Sequence, residues 1–203
     1  MNWIAHIFLS EYNIDFQIGN YLADPLKGKV WEDANANFIN GMKIHKIIDS
    51  YTDKNLLFKR SKQRIGSGLL RGVVIDLTYD YLLSKNWDKF SNIPLDIFFN
   101  KFNTDAKRRL KYIPQNARIP LENLIKYDIV NRYKKIDDLQ TVFSKVDKRL
   151  SSRVLKKDNN SSYYKAVSQN IFKIEEDFLE FFPQLTNHIK NHMHRSKLNH
   201  WKI

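Results

Sequence analysis

No cysteine occurs anywhere in this chain of 203 residues, and that one absence removes disulfides, thiolate zinc sites and cysteine nucleophiles together. It agrees with a reducing compartment. Long apolar runs are missing too. Nowhere do 18 apolar residues follow one another, so no membrane-spanning helix is expected. The opening residues Met1-Asn2-Trp3-Ile4-Ala5-His6-Ile7-Phe8-Leu9-Ser10 carry no basic leader, and their apolar run is interrupted by His6 and followed by Glu11, which argues against a signal peptide. A cytoplasmic location is the expectation. There are only 6 glycines and 5 prolines. Gly66, Gly68 and Gly72 match neither common phosphate-loop spacing, and no Lys-Ser or Lys-Thr pair follows them as a P-loop requires. No Gly-x-Ser-x-Gly elbow exists, so nucleophilic serine chemistry has no support.

Acidic residues are in deficit. Against 34 Lys and Arg stand 22 Asp and Glu, leaving a formal charge of +12, a field that attracts acidic partners over long range. Nucleic acid, anionic lipid and an acidic protein all satisfy it, and the sign alone does not choose. The richness in Lys, Asn and Ile also fits a bias in coding rather than a ligand.

Apolar residues make up 42% of the chain and aromatic ones 13%, which excludes global disorder, and the length suits one well-filled core. Residues 1–203 are therefore expected to form a single domain. Helical spacing is expected over 14–27, 35–51 and, continuing, 54–64. A strongly apolar helix follows at 69–87, with Val73, Val74, Leu77, Tyr81 and Leu82 on its buried side. Helices are expected again from Pro94 to Lys111, over 121–133 and 137–155, and over 163–182, ending at Pro183. The stretch 112–120, with Pro114 and Pro120, reads as a loop. The tail 186–203 is basic, with His188, His192, His194 and His200, and is expected to be exposed. Alternating strand patterns are absent. The fold class is all-α, a single compact helical domain.

Chemistry concentrates in the first half. In the stretch 43–53, His45, Asp49 and Asp53 fall on one helical face bordered by Ile44, Ile47, Ile48 and Tyr51. Buried carboxylates and imidazoles require partners, and a divalent cation is one; a merely solvated face is the plainer reading. Asp76 and Asp80 lie four apart on the apolar 69–87 helix, and Asp24 precedes Pro25, placed to end a helix and face a cleft. His6 completes the set. Oxygen-rich ligation with one or two imidazoles suits Mn²⁺ or Mg²⁺, with iron (Fe²⁺) or zinc as alternatives, better than a soft metal, and such an ion can activate water against a phosphodiester.

Four blocks in order resemble a known family: Met1-Asn2-Trp3-Ile4-Ala5-His6, Gly19-Asn20-Tyr21-Leu22-Ala23-Asp24, the stretch from His45 to Asp53, and the stretch from Asp76 to Trp87. Asn131-Arg132-Tyr133 and Phe181-Phe182-Pro183 also fit. The chain is similar to the acyl carrier protein phosphodiesterases, relatives of the HD-type phosphohydrolases. The resemblance implies a divergent HD-type helical fold and hydrolysis of the phosphodiester joining phosphopantetheine to holo acyl carrier protein, an acidic partner. It implies His45, Asp49, Asp24 and Asp80 as metal ligands, with Asp24, His6 and Asp76 taking part in catalysis and Asp53 supporting the stripe. Tyr81 stands where the family tends to carry histidine. Docking of the carrier falls to Arg60, Lys62, Arg64 and Arg71, or to Lys107, Arg108, Arg109 and Lys111. Two rival readings are a catalytically weak or silent protein that binds an acidic carrier, and a basic nucleic-acid-binding domain, for which no helix-turn-helix spacing is found.

Overall fold

Asparagine opens the first four helices. Asn2, Asn13, Asn35 and Asn55 each have an extended backbone, and the side-chain oxygen of each accepts from one or two N–H groups of the helix that follows. Those donors have no partner within a helix, so the Asn-rich composition has a local use. The computed structural model describes residues 1–127 and 133–202; the expected helical residues 128–132, with Asn131 and Arg132, lie outside the described residues. The capped helices are α1 (Trp3–Phe8), α2 (Ile14–Leu22), α3 (Ala36–Lys54) and α4 (Leu56–Arg64). They are followed by α5 (Arg71–Lys85), α6 (Trp87–Phe90), α7 (Leu95–Arg109), α8 (Gln115–Ile125), α9 (Asp138–Asp147), α10 (Ser152–Leu155) and α11 (Tyr164–Ile189). No strand occurs among the described residues; Ser91 and Trp201 make an isolated antiparallel bridge. The all-α class read from periodicity is the observed one, with one continuous apolar core. No helix of the described residues is long and apolar enough to cross a membrane.

Several expected boundaries move. Residues 54–64 do not continue α3, because Asn55 turns extended and caps α4 instead. Residues 115–120, expected in a loop, are helical: Ala117 and Leu121 of α8 are fully buried, and that packing carries the helix through Pro120. The same happens at Pro183. A proline costs a helix one hydrogen bond and some crowding, yet α11 runs on to Ile189 because Leu185, Thr186 and Ile189 are buried beyond it. Val73, expected inside, is 39% exposed, while its neighbours Val74 and Ile75 are buried.

The pair that positions the functional residues is α2 with α3. A β-carbon at Gly19 would lie 2.2 Å from the Phe38 carbonyl oxygen, and one at Gly41 would lie 2.1 Å from that of Phe16. The two backbones therefore meet with no side chain between them, which brings His45 on α3 against the backbone of Asn20 on α2. Replacing Gly41 with Ala is expected to force the helices apart, costing about 1–3 kcal/mol as overpacking does and displacing His45 with its helix. Thermal unfolding measures it, and an unchanged midpoint would contradict the close crossing.

The C-terminal segment is not the exposed tail expected. His200 and Trp201 are buried, and both donate to the Phe8 carbonyl oxygen, at 2.9 Å each. That carbonyl ends α1 and lacks a helical donor, so the last residues close the helix. Lys202 N donates to Phe90 O at 2.8 Å and Asn92 N to His200 O at 2.8 Å. Burial pushes the His200 pKa down to about 4, and its buried Nδ1 has no acceptor to serve if protonated. In the unfolded chain the ring titrates near 6.5. Its contribution is therefore complete above that value and is lost as the pH falls toward 4, a loss of roughly 3 kcal/mol. Denaturant midpoints across that range, compared with those of His200→Gln, check it: the variant's profile should be flatter.

Candidate metal centre

Helix α3 presents His45 and Asp49 one turn apart, and α1 brings His6 against them. The two imidazoles stack at 3.9 Å with 17° between their planes. Asp49 bridges them, with Oδ2 3.0 Å from His45 Nε2 and Oδ1 3.3 Å from His6 Nε2. Asp24, just past the end of α2, puts Oδ1 3.1 Å from His45 Nε2. Ligand atoms of His6, His45 and Asp49 all lie within 4.8 Å of one another.

Asn20 orients both rings. Its side-chain Nδ2 donates to His6 O at 2.8 Å and to Ser10 Oγ at 3.0 Å. Its Oδ1 is therefore the acceptor for His6 Nδ1, at 2.9 Å. Its backbone oxygen accepts from His45 Nδ1 at 2.8 Å. The network thus assigns a proton to Nδ1 of each ring and turns both Nε2 atoms inward, the arrangement by which protein groups orient imidazoles that ligate metals. Burial and then the neighbouring His45 push the His6 pKa down, so its Nε2 is a bare lone pair. That lone pair faces Asp49 Oδ1 and also the Met1 carbonyl oxygen at 3.1 Å. Electron-rich atoms converging with no proton between them suit a cation, and two imidazoles with a carboxylate suit a divalent one. The donor set fits.

At His45 a proton on Nε2 now answers the two carboxylates, in the place an ion would take. Burial alone would lower the His45 pKa, but hydrogen bonds to Asp24 and Asp49 outweigh it and raise it to about 9. Burial would raise Asp49, yet the hydrogen bond from His45 and the neighbouring Met1 amino group hold it well below the ordinary carboxylate range. Asp24 is lowered, first by its hydrogen bond to His45.

Two further acids expected in the set make contacts of their own with the start of α1. Asp80, expected among the metal ligands, has Oδ2 accepting from Ile4 N at 3.0 Å and Oδ1 from Ala5 N at 3.2 Å. Its carboxylate serves the first turn of α1, whose unpaired donors reach it first. Burial raises its pKa to about 8, against the pull of those two amides. Asp76, expected to take part in catalysis, has its Oδ1 2.9 Å from the buried amino group of Met1, which also sits 3.6 Å from Asp49 Oδ1. Both acids thus hold α1 in place, and through it His6. Asp53 is exposed. Charged groups that act on the Tyr81 hydroxyl are Lys85, Glu175, Asp138 and Asp137, none of them in the centre.

The expected docking cluster is also reassigned. Asp177, fully buried on α11, accepts from Arg60 Nε at 2.7 Å, from Arg64 Nε at 2.7 Å and Nη2 at 3.0 Å, and from Ser61 Oγ at 2.9 Å. Arg60 and Arg64 therefore pin α4 to α11. Arg71 donates to the carbonyls of Gly66 and Gly68, and the Lys62 ammonium lies 5.0 Å from the centre of the Phe58 ring. In the second cluster Arg109 is held by both oxygens of Asp15, whereas Lys107, Arg108 and Lys111 line a surface groove with Arg118. Sequence reasoning missed Asn20 as an orienting group, although it stood in a matched block. It also missed a cavity of about 240 Å³ that opens beside the centre and is lined by His6, His45 and Asp24 together with residues of α8 and α9.

Comparison with known proteins gives a consistent result. The family model described as acyl carrier protein phosphodiesterase matches residues 1–185. A protein of that name from Klebsiella pneumoniae is 25% identical, covering 94% of this chain and 98% of its own. One from Photorhabdus laumondii is 22% identical over 94% and 96%, and one from Shigella boydii 24% identical over 91% and 95%. No solved structure matches the chain significantly.

Proposed function

Because this chain belongs to the acyl carrier protein phosphodiesterase family, we propose that it hydrolyses the phosphodiester linking phosphopantetheine to holo acyl carrier protein, with a divalent ion held by His6, His45, Asp49 and Asp24. The observation that carries the metal is the inward convergence of His6 Nε2, His45 Nε2 and the Asp49 carboxylate. When bound, such an ion supplies charge neutralisation at the phosphoryl oxygens and a water acidic enough to attack near neutral pH. Mn²⁺ suits the mixed nitrogen and oxygen donors, and Mg²⁺ or Fe²⁺ would be accepted by the same set.

The remaining work belongs to the chain. In the hydrolysis an oxygen–phosphorus bond forms from water, the bond to the carrier's serine oxygen breaks, and a proton from the water ends on that oxygen. Asp24 has a side chain 80% exposed and lines the cavity edge, so its carboxylate is within reach of the attacking water and is the group placed to take its proton. Asn20 keeps both rings in register. The absence of cysteine fits a cytoplasmic setting.

An acidic carrier would meet the groove of Lys107, Arg108, Lys111 and Arg118. Reversing Lys107 and Lys111 to Glu together is expected to raise KM about tenfold at low salt, with the effect shrinking as salt screens the surface. Unchanged KM at low salt would remove that face from docking. The reaction itself is tested by incubating the protein with holo acyl carrier protein and Mn²⁺ and weighing the carrier by mass spectrometry. Conversion to the apo mass is expected. Binding without conversion would favour a silent carrier-binding protein.

A further inference from the structure

The cavity beside the centre contains a group that the reaction as described does not use. Tyr133 lines it and is 5% exposed, and its hydroxyl finds no hydrogen-bond partner among the described residues. A buried hydroxyl left unpaired is costly, so a donor in this position points to an acceptor that arrives with a ligand. Apolar side chains line part of the cavity, Leu124 from α8, Val142 and Val146 from α9, and Trp3 from α1, beside polar ones such as Asn123. Two cationic side chains line the same cavity, Lys145 and the exposed Arg149. The ligand that fits has a phosphate for the cationic and metal-binding groups, and alkyl segments with a neutral carbonyl for the rest. A phosphate alone would leave the apolar wall and the Tyr133 donor unused.

The geometry points to this cavity as the seat of the prosthetic arm: Tyr133 donates a hydrogen bond to an amide carbonyl of the pantetheine chain, Leu124, Val142 and Val146 contact its alkyl segments, and Arg149 faces the phosphate. This inference rests on the proposed reaction for the identity of the arm. It goes further in assigning residues outside the metal centre to recognition of the group that leaves, and so to the choice of this diester over a smaller one. Neutral O–H donors suit amide oxygens, and an apolar wall with a few placed polar groups holds an amide-bearing chain in a fixed register.

The test measures binding separately from turnover. Free 4′-phosphopantetheine and inorganic phosphate are titrated into wild-type, Tyr133→Phe and Arg149→Glu proteins by calorimetry. Wild type is expected to prefer phosphopantetheine. Tyr133→Phe should lower the ratio of phosphopantetheine to phosphate affinity about fivefold, the worth of one neutral hydrogen bond, while its melting temperature stays level or rises because an unpaired hydroxyl has gone. Arg149→Glu, a surface change, should weaken both ligands. Equal affinity of wild type for the two ligands, or an unchanged ratio in Tyr133→Phe, would overturn the assignment. Hydrolysis of holo carrier by wild type is scored separately. If it proceeds while the ratio is unmoved, only the arm site fails; if the ratio falls as expected and no hydrolysis occurs, only the reaction fails.

Discussion

Asp49→Ala is expected to lower turnover of holo acyl carrier protein on the order of a thousandfold or more and to remove tight binding of Mn²⁺. The size follows from what this one carboxylate touches. It meets His45 Nε2 and His6 Nε2 through separate oxygens and lies 3.6 Å from the Met1 amino group. Losing a ligand that neutralises a divalent charge removes several kcal/mol of transition-state stabilisation, and about 1.4 kcal/mol is a factor of ten. Asp49→Asn separates shape from charge. The amide fills the same space but is a poor ligand, so it should also be inactive while melting close to wild type. Kinetics with added Mn²⁺ and a melting curve decide it; an Asn variant with full turnover would exclude Asp49 from the centre.

Asp177→Ala is expected to be the most damaging change remote from the centre. The carboxylate is buried, while the guanidinium groups it joins are 49% exposed for Arg60 and 22% for Arg64. Removing one partner of a buried ion pair leaves the others stranded at about 3–5 kcal/mol, and the partial solvation of both arginines places this case near 3. For a chain of this size that corresponds to a fall of roughly 6–12 °C in melting temperature. Ser61 makes the loss propagate: its hydroxyl donates to Asp177 and receives from the Tyr79 hydroxyl at 2.9 Å, so the network reaches the core. Burial would raise the Asp177 pKa, but Arg64, Arg60 and Ser61 hold it below the ordinary value. Its contribution is present above the unfolded carboxylate pKa and is lost as the pH falls through the folded one. The loss therefore follows that from His200 at lower pH. A double-mutant cycle of Asp177→Ala with Arg64→Ala should show strong coupling; additive losses would contradict the clamp.

The site was readable in sequence where helical spacing alone decides geometry. His45 and Asp49 are one turn apart on an apolar-flanked face, and they meet in the structure as that spacing implies. Asp24 was readable from Pro25, which ends the helix beside the cleft. Spacing gives a direction but not what lies across from it. Asp76 and Asp80 share a face, yet what faces them is the start of α1, with its amino group and unpaired amides. Arg60 and Arg64 looked like a free basic edge because Asp177 is 113 residues from Arg64 in sequence. Proline rules failed at Pro120 and Pro183 for a related reason: buried apolar residues beyond each one outweigh the local cost. Tyr133 could be placed in a matched block, but only the fold shows its hydroxyl to be buried and unpaired.

The central claim is that one cation binds where His6, His45 and Asp49 converge. Equilibrium dialysis of chelator-stripped protein against Mn²⁺, for wild type and for His6→Ala/His45→Ala, tests it most directly. The account predicts saturable tight binding by wild type and its loss in the double variant while the variant remains folded. Equal binding by the two proteins, or none by wild type, would contradict it.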